Sequence, residues 1–263
     1  MEKRRLIGAL AAVLLCAAGP ASAEELLWKM SSSLNYESGT YGTGTRTNSL
    51  YVPFTLRRAF GDAFASVTVP FVSMTSDGGV RNVGGRPSRT AGRATVAGTR
   101  TTRSGLGDIV LRGGYDLLRD DPHPLDLTVV AKVKAPTASR SEGLGTGEFD
   151  AGAGVELAKL VAPGWTVLAD AYFTAIGDPP GTDLDNQLAV DVGFSRALKE
   201  DLTLTVLLEA SNALVPGEPG PRDLRAIIEH RFDERAAVFG GGSVGLSNGS
   251  ADYGVSLGGS VRF

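Results

Sequence analysis

Tyr253-Gly-Val255-Ser-Leu257-Gly-Gly259-Ser-Val261-Arg-Phe263, the last eleven residues of the chain, alternate apolar with small or polar side chains and end on an aromatic. A period of two puts Tyr253, Val255, Leu257, Val261 and Phe263 on one face of a strand and Gly254, Ser256, Gly258, Ser260 and Arg262 on the other. Two architectures use such a strand. A soluble sandwich turns the apolar face inward, whereas a transmembrane barrel turns it to lipid and keeps the polar face in a wet lumen.

The other end of the chain favours the second. Lys3, Arg4 and Arg5 precede an apolar run from Leu6 to Ala18, and Ala21-Ser22-Ala23 follows as a small-x-small cleavage pattern. Residues 1–23 therefore read as an export signal cleaved before Glu24, leaving residues 24–263 as one domain. Cys16 lies inside the apolar run without the small residue a lipoprotein signal needs before it, so lipidation is not expected, and the exported part holds no cysteine. Of 26 basic and 29 acidic side chains, the signal removes Lys3, Arg4, Arg5 and Glu2, leaving 23 and 28 and a net charge of −5. An acidic balance argues against a nucleic-acid partner. No long apolar stretch follows the signal, so helical spans are excluded, and turn residues recurring between short alternating segments give an all-β reading.

Alternation delimits twelve strands, at 26–37, 48–57, 63–74, 106–117, 125–136, 148–158, 165–176, 186–195, 202–211, 223–232, 236–246 and 252–263. Each is close to the length that crosses a bilayer at a tilt of about 45°. The gaps run about ten, five, thirty-one, seven, eleven, six, nine, six, eleven, three and five residues. Long connections thus alternate with short ones, as in barrels with long external loops and tight periplasmic turns, whereas a Greek-key sandwich mixes them. The even count brings both ends to the periplasmic side, and in lipid the sheet must close so that every backbone group is paired. The expected fold is a closed, antiparallel, twelve-stranded transmembrane β-barrel. Pro53 and Pro70 interrupt expected strands where a closed sheet has no edge to hide a missing donor. The glycine-rich eleventh segment leaves its register open.

The stretches Gly105-Leu-Gly-Asp108-Ile-Val-Leu-Arg-Gly-Gly-Tyr115, Gly143-Leu-Gly145-Thr-Gly147 and Phe149-Asp150-Ala-Gly-Ala-Gly resemble the outer-membrane meta-pathway of phenol degradation family. So do the turn Arg58-Ala-Phe-Gly61-Asp62 and the Val69-Pro70-Phe71 element after it. The resemblance covers most of the exported chain. It implies an outer-membrane barrel of transporter or channel type, and it leaves the solute open.

On this register the lumen carries ten acids, Glu37, Asp108, Asp116, Asp126, Asp150, Glu156, Asp170, Asp191, Glu209 and Glu229. Seven bases join them: Lys29, Arg57, Arg112, Lys132, Lys134, Arg225 and Arg231. Asp108, Arg112, Lys132, Lys134, Asp150, Glu156, Asp170, Asp191, Glu209 and Arg225 are the candidates for a constriction. Balanced charge can plug a narrow interior by ion pairing or line a small polar pore. Leu106, Val110, Val130, Leu168, Tyr172 and Leu207 are expected inside as well, which suits a small hydrophobic or aromatic solute, or simple packing. Twelve strands enclose less space than a sixteen-stranded porin, so any conduit is narrow.

The longest loop, 75–105, carries Arg81, Arg86, Arg89, Arg93, Arg100 and Arg103 against the single acid Asp77, a local charge of +5. It reads either as a solvated loop, as a constriction folded into the mouth against lumen carboxylates, or as a grip on lipopolysaccharide phosphates. Gly143-Leu-Gly145-Thr-Gly147 lacks the strand-to-helix context of a dinucleotide loop and reads as a turn. The only histidines, His123 and His230, fall on a short turn and on an outward face, so a hydrolytic barrel and a dedicated metal site are disfavoured. The expectation is a non-enzymatic outer-membrane channel with no cofactor, its partners being lipid and lipopolysaccharide, a small solute, and the barrel-assembly machinery. A plugged barrel making surface contacts through the arginine-rich loop is the alternative.

Overall fold

The computed structural model describes residues 27–83, 86–89, 99–119 and 125–263. The expected signal, residues 1–23, and His123 lie outside them. The sequence folds as strands β1 (Trp28–Gly39), β2 (Thr47–Phe60), β3 (Ala63–Ser76), β4 (Val80–Val83), β5 (Arg86–Arg89), β6 (Thr101–Leu106), β7 (Ile109–Leu118) and β8 (Leu125–Ala135). They are followed by β9 (Asp150–Ala162), β10 (Trp165–Ala175), β11 (Gln187–Ala197), β12 (Leu202–Ser211), β13 (Arg222–Arg231), β14 (Ala236–Gly245) and β15 (Tyr253–Arg262). Every ladder is antiparallel, and β15 pairs back onto β1 from Lys29–Arg262 to Ser38–Tyr253. Trp28 and Phe263 exchange backbone hydrogen bonds of 2.9 Å at that seam. β6 and β7 stack end to end along β3 as one stave, so the ring has twelve staves.

Exposure separates barrel from sandwich. Leu257 is 62% exposed, Val255 57% and Leu188 57%, while Asp108, Lys134 and Asp150 are buried. The apolar face of the alternation points outward, which is stable only in lipid. Aromatic side chains Trp28, Phe60, Trp165, Phe232 and Phe263 sit at strand ends on the rim of the short turns. Arg58 lies 5.1 Å from the Trp28 ring and Arg196 5.0 Å from that of Trp165, the arrangement of an interfacial girdle.

Strand boundaries follow the alternation, with three corrections. β9 runs to Ala162 rather than 158, and β2 and β3 extend to Phe60 and Ser76. The expected 75–105 loop contains the β4–β5 hairpin and most of β6, which prolongs the β7 stave alongside β3. Leu106, expected inside, faces outward opposite Phe71 and is 62% exposed. Between the Phe71–Leu106 and Thr68–Val110 pairs, β3 advances three residues and the partner four, so one extra residue reverses the inside–outside alternation.

The same bulge accommodates Pro70. Gly107 donates to the Pro70 carbonyl at 2.8 Å, so Pro70's peptide edge faces β7 at the irregularity. A Cβ on Gly107 would stand 2.9 Å from Pro70 Cγ, which only glycine avoids. Pro53 pairs directly with Pro70 across β2–β3 and therefore turns its edge to β1. There the β1–β2 ladder skips from Ser32–Phe54 to Asn35–Tyr51, and the Asn35 side chain donates to the Tyr51 carbonyl at 3.1 Å. Neither proline leaves its gap opposite the other's. In the eleventh expected segment, β14 places Val238 and Val244 outward and seats Phe239 over Gly258 on the lumen side.

Candidate functional site: the charged lumen

Alternation from the outward residues sends Arg112, Lys132, Lys134, Asp150, Glu156, Asp170, Asp191, Glu209 and Arg225 into the barrel, and Asp108 joins them at the bulge. They fall into distinct groups. Lys134 is buried between Asp150 at 2.9 Å and Asp108 at 3.2 Å, and donates to Thr146 Oγ1 at 3.0 Å. Asp108 also accepts from the Ala138 amide and Asp150 from the Gly177 amide, both at 3.0 Å. One buried cation thereby fixes two connections, 136–149 and 176–186, against the wall. Arg225 meets Glu209 through two hydrogen bonds, Nε–Oε1 at 3.0 Å and Nη2–Oε2 at 3.1 Å, the bidentate geometry in which the guanidinium fork is strongest. Arg112 pairs with Glu156, to which the Tyr172 hydroxyl also donates. Near the short-turn rim Arg57 stacks 3.7 Å over the Phe64 ring.

The connection 136–149 turns inward. Leu144 is 1% exposed against Val72, Ala138 and Tyr51, and Asn82 of the β4–β5 hairpin donates its side-chain amide to the Leu144 carbonyl at 3.1 Å. The glycines expected to shape this turn divide the work. Gly143 and Gly147 have φ of 70° and 81°, whereas a Cβ on Gly145 would stand 2.8 Å from Asp108 Oδ2. Val80 of the hairpin packs with Tyr41, Met74 and Ala251, and burial pushes the Tyr41 hydroxyl pKa far up. At the turn before the hairpin, hydrogen bonds from Thr45 Oγ1 and the Gly79 amide hold the Asp77 carboxyl below the usual carboxylate range.

Of the arginine-rich loop, Arg89 reaches into the lumen and pairs with Glu218, while Arg81, Arg100 and Arg103 are exposed. Arg93 and the Arg86 side chain lie outside the described residues. Beneath the hairpin is a cavity of about 430 Å³, lined by charged groups of both signs together with Val110, Val130 and Tyr172. Asp223, Glu218 and Asn212 line it too, and the alternation missed them. Asp223 shares its face with Arg225 and was legible by parity; Glu218 and Asn212 lie on a connection that alternation does not reach. His230 is on the outer face, stacked edge-on to Phe232 with centroids 4.7 Å apart.

A closed antiparallel ring of twelve staves, apolar outside, charged inside and with long connections on one rim, defines an outer-membrane β-barrel. The chain belongs to the family described as "Putative MetA-pathway of phenol degradation", whose model matches residues 33–263. Among solved structures it is similar to the COG4313 outer membrane channel from Pseudomonas putida F1, with a TM-score of 0.65 and 15% identity over 94% of this chain and all of that one. It is also similar to the NanC porin, with a TM-score of 0.56 and 10% identity over 89% of this chain and 100% of the other. The KdgM porin gives a TM-score of 0.53 at 7% identity, over 89% of this chain and 99% of that one. No curated protein matches the chain by sequence.

Proposed function

We propose that the protein is a passive outer-membrane channel for small solutes, without covalent chemistry or a cofactor. The observation that carries this reading is the cavity of about 430 Å³ inside the barrel, walled by charge yet bordered by Val110, Val130 and Tyr172. Its size falls in the range of about 300–1,000 Å³ that suits a single small molecule, and its mixed lining suits a solute with an apolar or aromatic body and polar ends. On this reading residues 1–23 direct export and are removed, the barrel-assembly machinery inserts the chain, and the rim of long connections faces outward. The hairpin fastened by Arg89 and Glu218 sets the width of the mouth.

Refolded protein in liposomes would be expected to give solute-dependent swelling and discrete conductance steps in planar bilayers, with deletion of residues 80–100 changing the conductance. A barrel that is electrically silent and passes no small solute sinks the channel reading. The inward packing of Leu144 and the buried Lys134 cluster support a second reading, in which the lumen is plugged and the exposed Arg81, Arg100 and Arg103 bind lipopolysaccharide. Silent bilayers together with lipopolysaccharide binding that disappears on deleting 80–100 would select it.

A further inference from the structure

The register arranges the lumen charges in two rows. Following directly opposite residues from strand to strand, Glu156, Asp170, Asp191, Glu209 and Asp223 form an unbroken row across β9, β10, β11, β12 and β13. A second row runs Arg262, Lys29, Arg57, Ser66, Arg112 and Lys132 across β15, β1, β2, β3, β7 and β8. Like charges directly opposite on neighbouring strands destabilise a sheet. The wall can be built without either row, since apart from Arg262 the lumen positions of β14 and β15 carry only Ala, Phe, Gly and Ser.

The rows occupy opposite walls. In a ring of twelve staves the diametric partner lies six staves away, so Arg262 faces β9 and Glu156, Lys29 faces β10 and Asp170, Arg57 faces β11 and Asp191, and Arg112 faces β13 and Asp223. On β8 and β9 the rows are four residues apart, Lys132 against Thr128 and Gly152 against Glu156, roughly 13 Å along a strand. Strands about 4.8 Å apart and tilted about 40° make a row climb roughly 3 Å per strand, so half a turn leaves each acid only about 8 Å nearer the long-loop rim than the base it faces. Of the bases on the acidic wall, Arg225 is taken up by Glu209, and Arg231 stands beside Glu229 at the short-turn end of β13. On the basic wall Asp108 shares the buried Lys134 with Asp150, Asp116 is held by Arg119 and Thr128 at the short-turn rim, and Glu37 on β1 and Asp126 on β8 lie off the basic row, so bases still outnumber acids there.

We infer that the lumen carries a transverse electric field, positive along β15–β8 and negative along β9–β13, and that it favours small dipolar ions of amino-acid size. A solute with separated cationic and anionic ends gains from both walls at once; a monovalent ion gains from one, and an uncharged solute of equal size must displace water ordered by the field. This inference rests on the channel reading. In it Asp170, Asp191, Asp223, Lys29, Arg57 and Lys132 determine specificity.

The test uses reversal potentials across a KCl gradient and swelling of liposomes in β-alanine or in its uncharged isomer lactamide. Wild type is expected to discriminate weakly between K⁺ and Cl⁻ and to pass β-alanine faster than lactamide. The variant Asp170→Asn/Asp191→Asn/Asp223→Asn should shift the permeability ratio toward Cl⁻, and Lys29→Gln/Arg57→Gln/Lys132→Gln toward K⁺, each by about fivefold or more, the factor one charge at about 4 Å is worth even at the dielectric of water. Both variants should lose the preference for β-alanine, while Lys199→Gln on the β11–β12 turn changes neither readout. If a combined variant fails to refold, as judged by heat-modifiable gel migration, Asp191→Asn and Lys132→Gln must shift the ratio in opposite senses. A silent wild-type barrel defeats the channel reading and this inference together. A conducting wild type whose ratio is unmoved, or moves the same way in both variants, or which prefers lactamide, defeats the inference alone.

Discussion

Replacing Lys134 by methionine removes the cation from a site where the lysine and its two partner carboxylates each have side chains no more than 6% exposed. Asp108 and Asp150 then face each other without compensation, a situation that costs about 3–5 kcal/mol when one member of a buried ion pair is removed. An exposed pair provides the internal standard. Arg46 and Asp252 stand 2.9 Å apart but are 47% and 41% exposed, so Arg46→Ala should cost only about 0.2–1 kcal/mol. A third variant, Lys134→Met with Asp108→Asn and Asp150→Asn, keeps volume and most hydrogen bonds while removing all three charges, and should regain most of the loss. Urea unfolding of the refolded barrel in liposomes, followed by the fluorescence of Trp28 and Trp165, measures all three. The carboxylates also hold the Ala138 and Gly177 amides, so the single variant should open the connection 136–149 to trypsin at Arg140 and the Gly177 amide to hydrogen exchange before the barrel itself unfolds. The reasoning fails if Lys134→Met is no less stable than Arg46→Ala, or if the triple variant is as unstable as the single one.

Other outcomes follow from particular contacts. Val192→Arg, on the outer face near the middle of β11, should cost about 2–4 kcal/mol of insertion stability, whereas Ala189→Arg, which lines the cavity, should leave stability nearly unchanged and lower conductance; equal costs would show that the faces are misassigned. Gly145→Ala puts a methyl 2.8 Å from both Asp108 Oδ2 and Ala138 Cβ and should cost about 1–3 kcal/mol by overpacking, seen as earlier cleavage after Arg140 with an intact barrel on gels. Asp77 has a folded pKa below its unfolded value, so its contribution is present above the unfolded value of about 3.9 and is lost as pH falls through the lower folded value. Hydrogen exchange at Gly79, corrected for its intrinsic rate, should therefore rise below about pH 4 in wild type relative to Asp77→Asn; a constant difference down to acid pH contradicts this.

Legibility varied with how local the signal was. Parity along a strand is a property of consecutive residues, and it placed all ten constriction candidates inside the barrel. Asp223, two residues before Arg225 in the expected strand 223–232, has the same parity although it was not among the candidates. Leu106 was misplaced because the extra residue at Gly107–Asp108 is set by the register of β3 against β6 and β7, which the local pattern does not contain. Pro53 and Pro70 looked like faults for the same reason, since their missing donors matter only relative to the neighbouring strand each one faces. The inward fold of 136–149 was equally hidden: its anchor is a lysine on β8 buried by carboxylates from the β6–β7 junction and the start of β9.

By itself the sequence determined that this is an acidic, all-β chain of twelve staves with its charges on one face, because alternation and turn spacing are one-dimensional quantities. Two decisions belonged to the tertiary structure. Exposure showed that the apolar face is the outer one, which excludes the sandwich. Strand register then brought charges more than 200 residues apart, from Lys29 to Arg262, into one wall and set five carboxylates against them on the other. Electrostatic interaction depends on distance in space and on the dielectric between charges, and closure of the sheet fixes both.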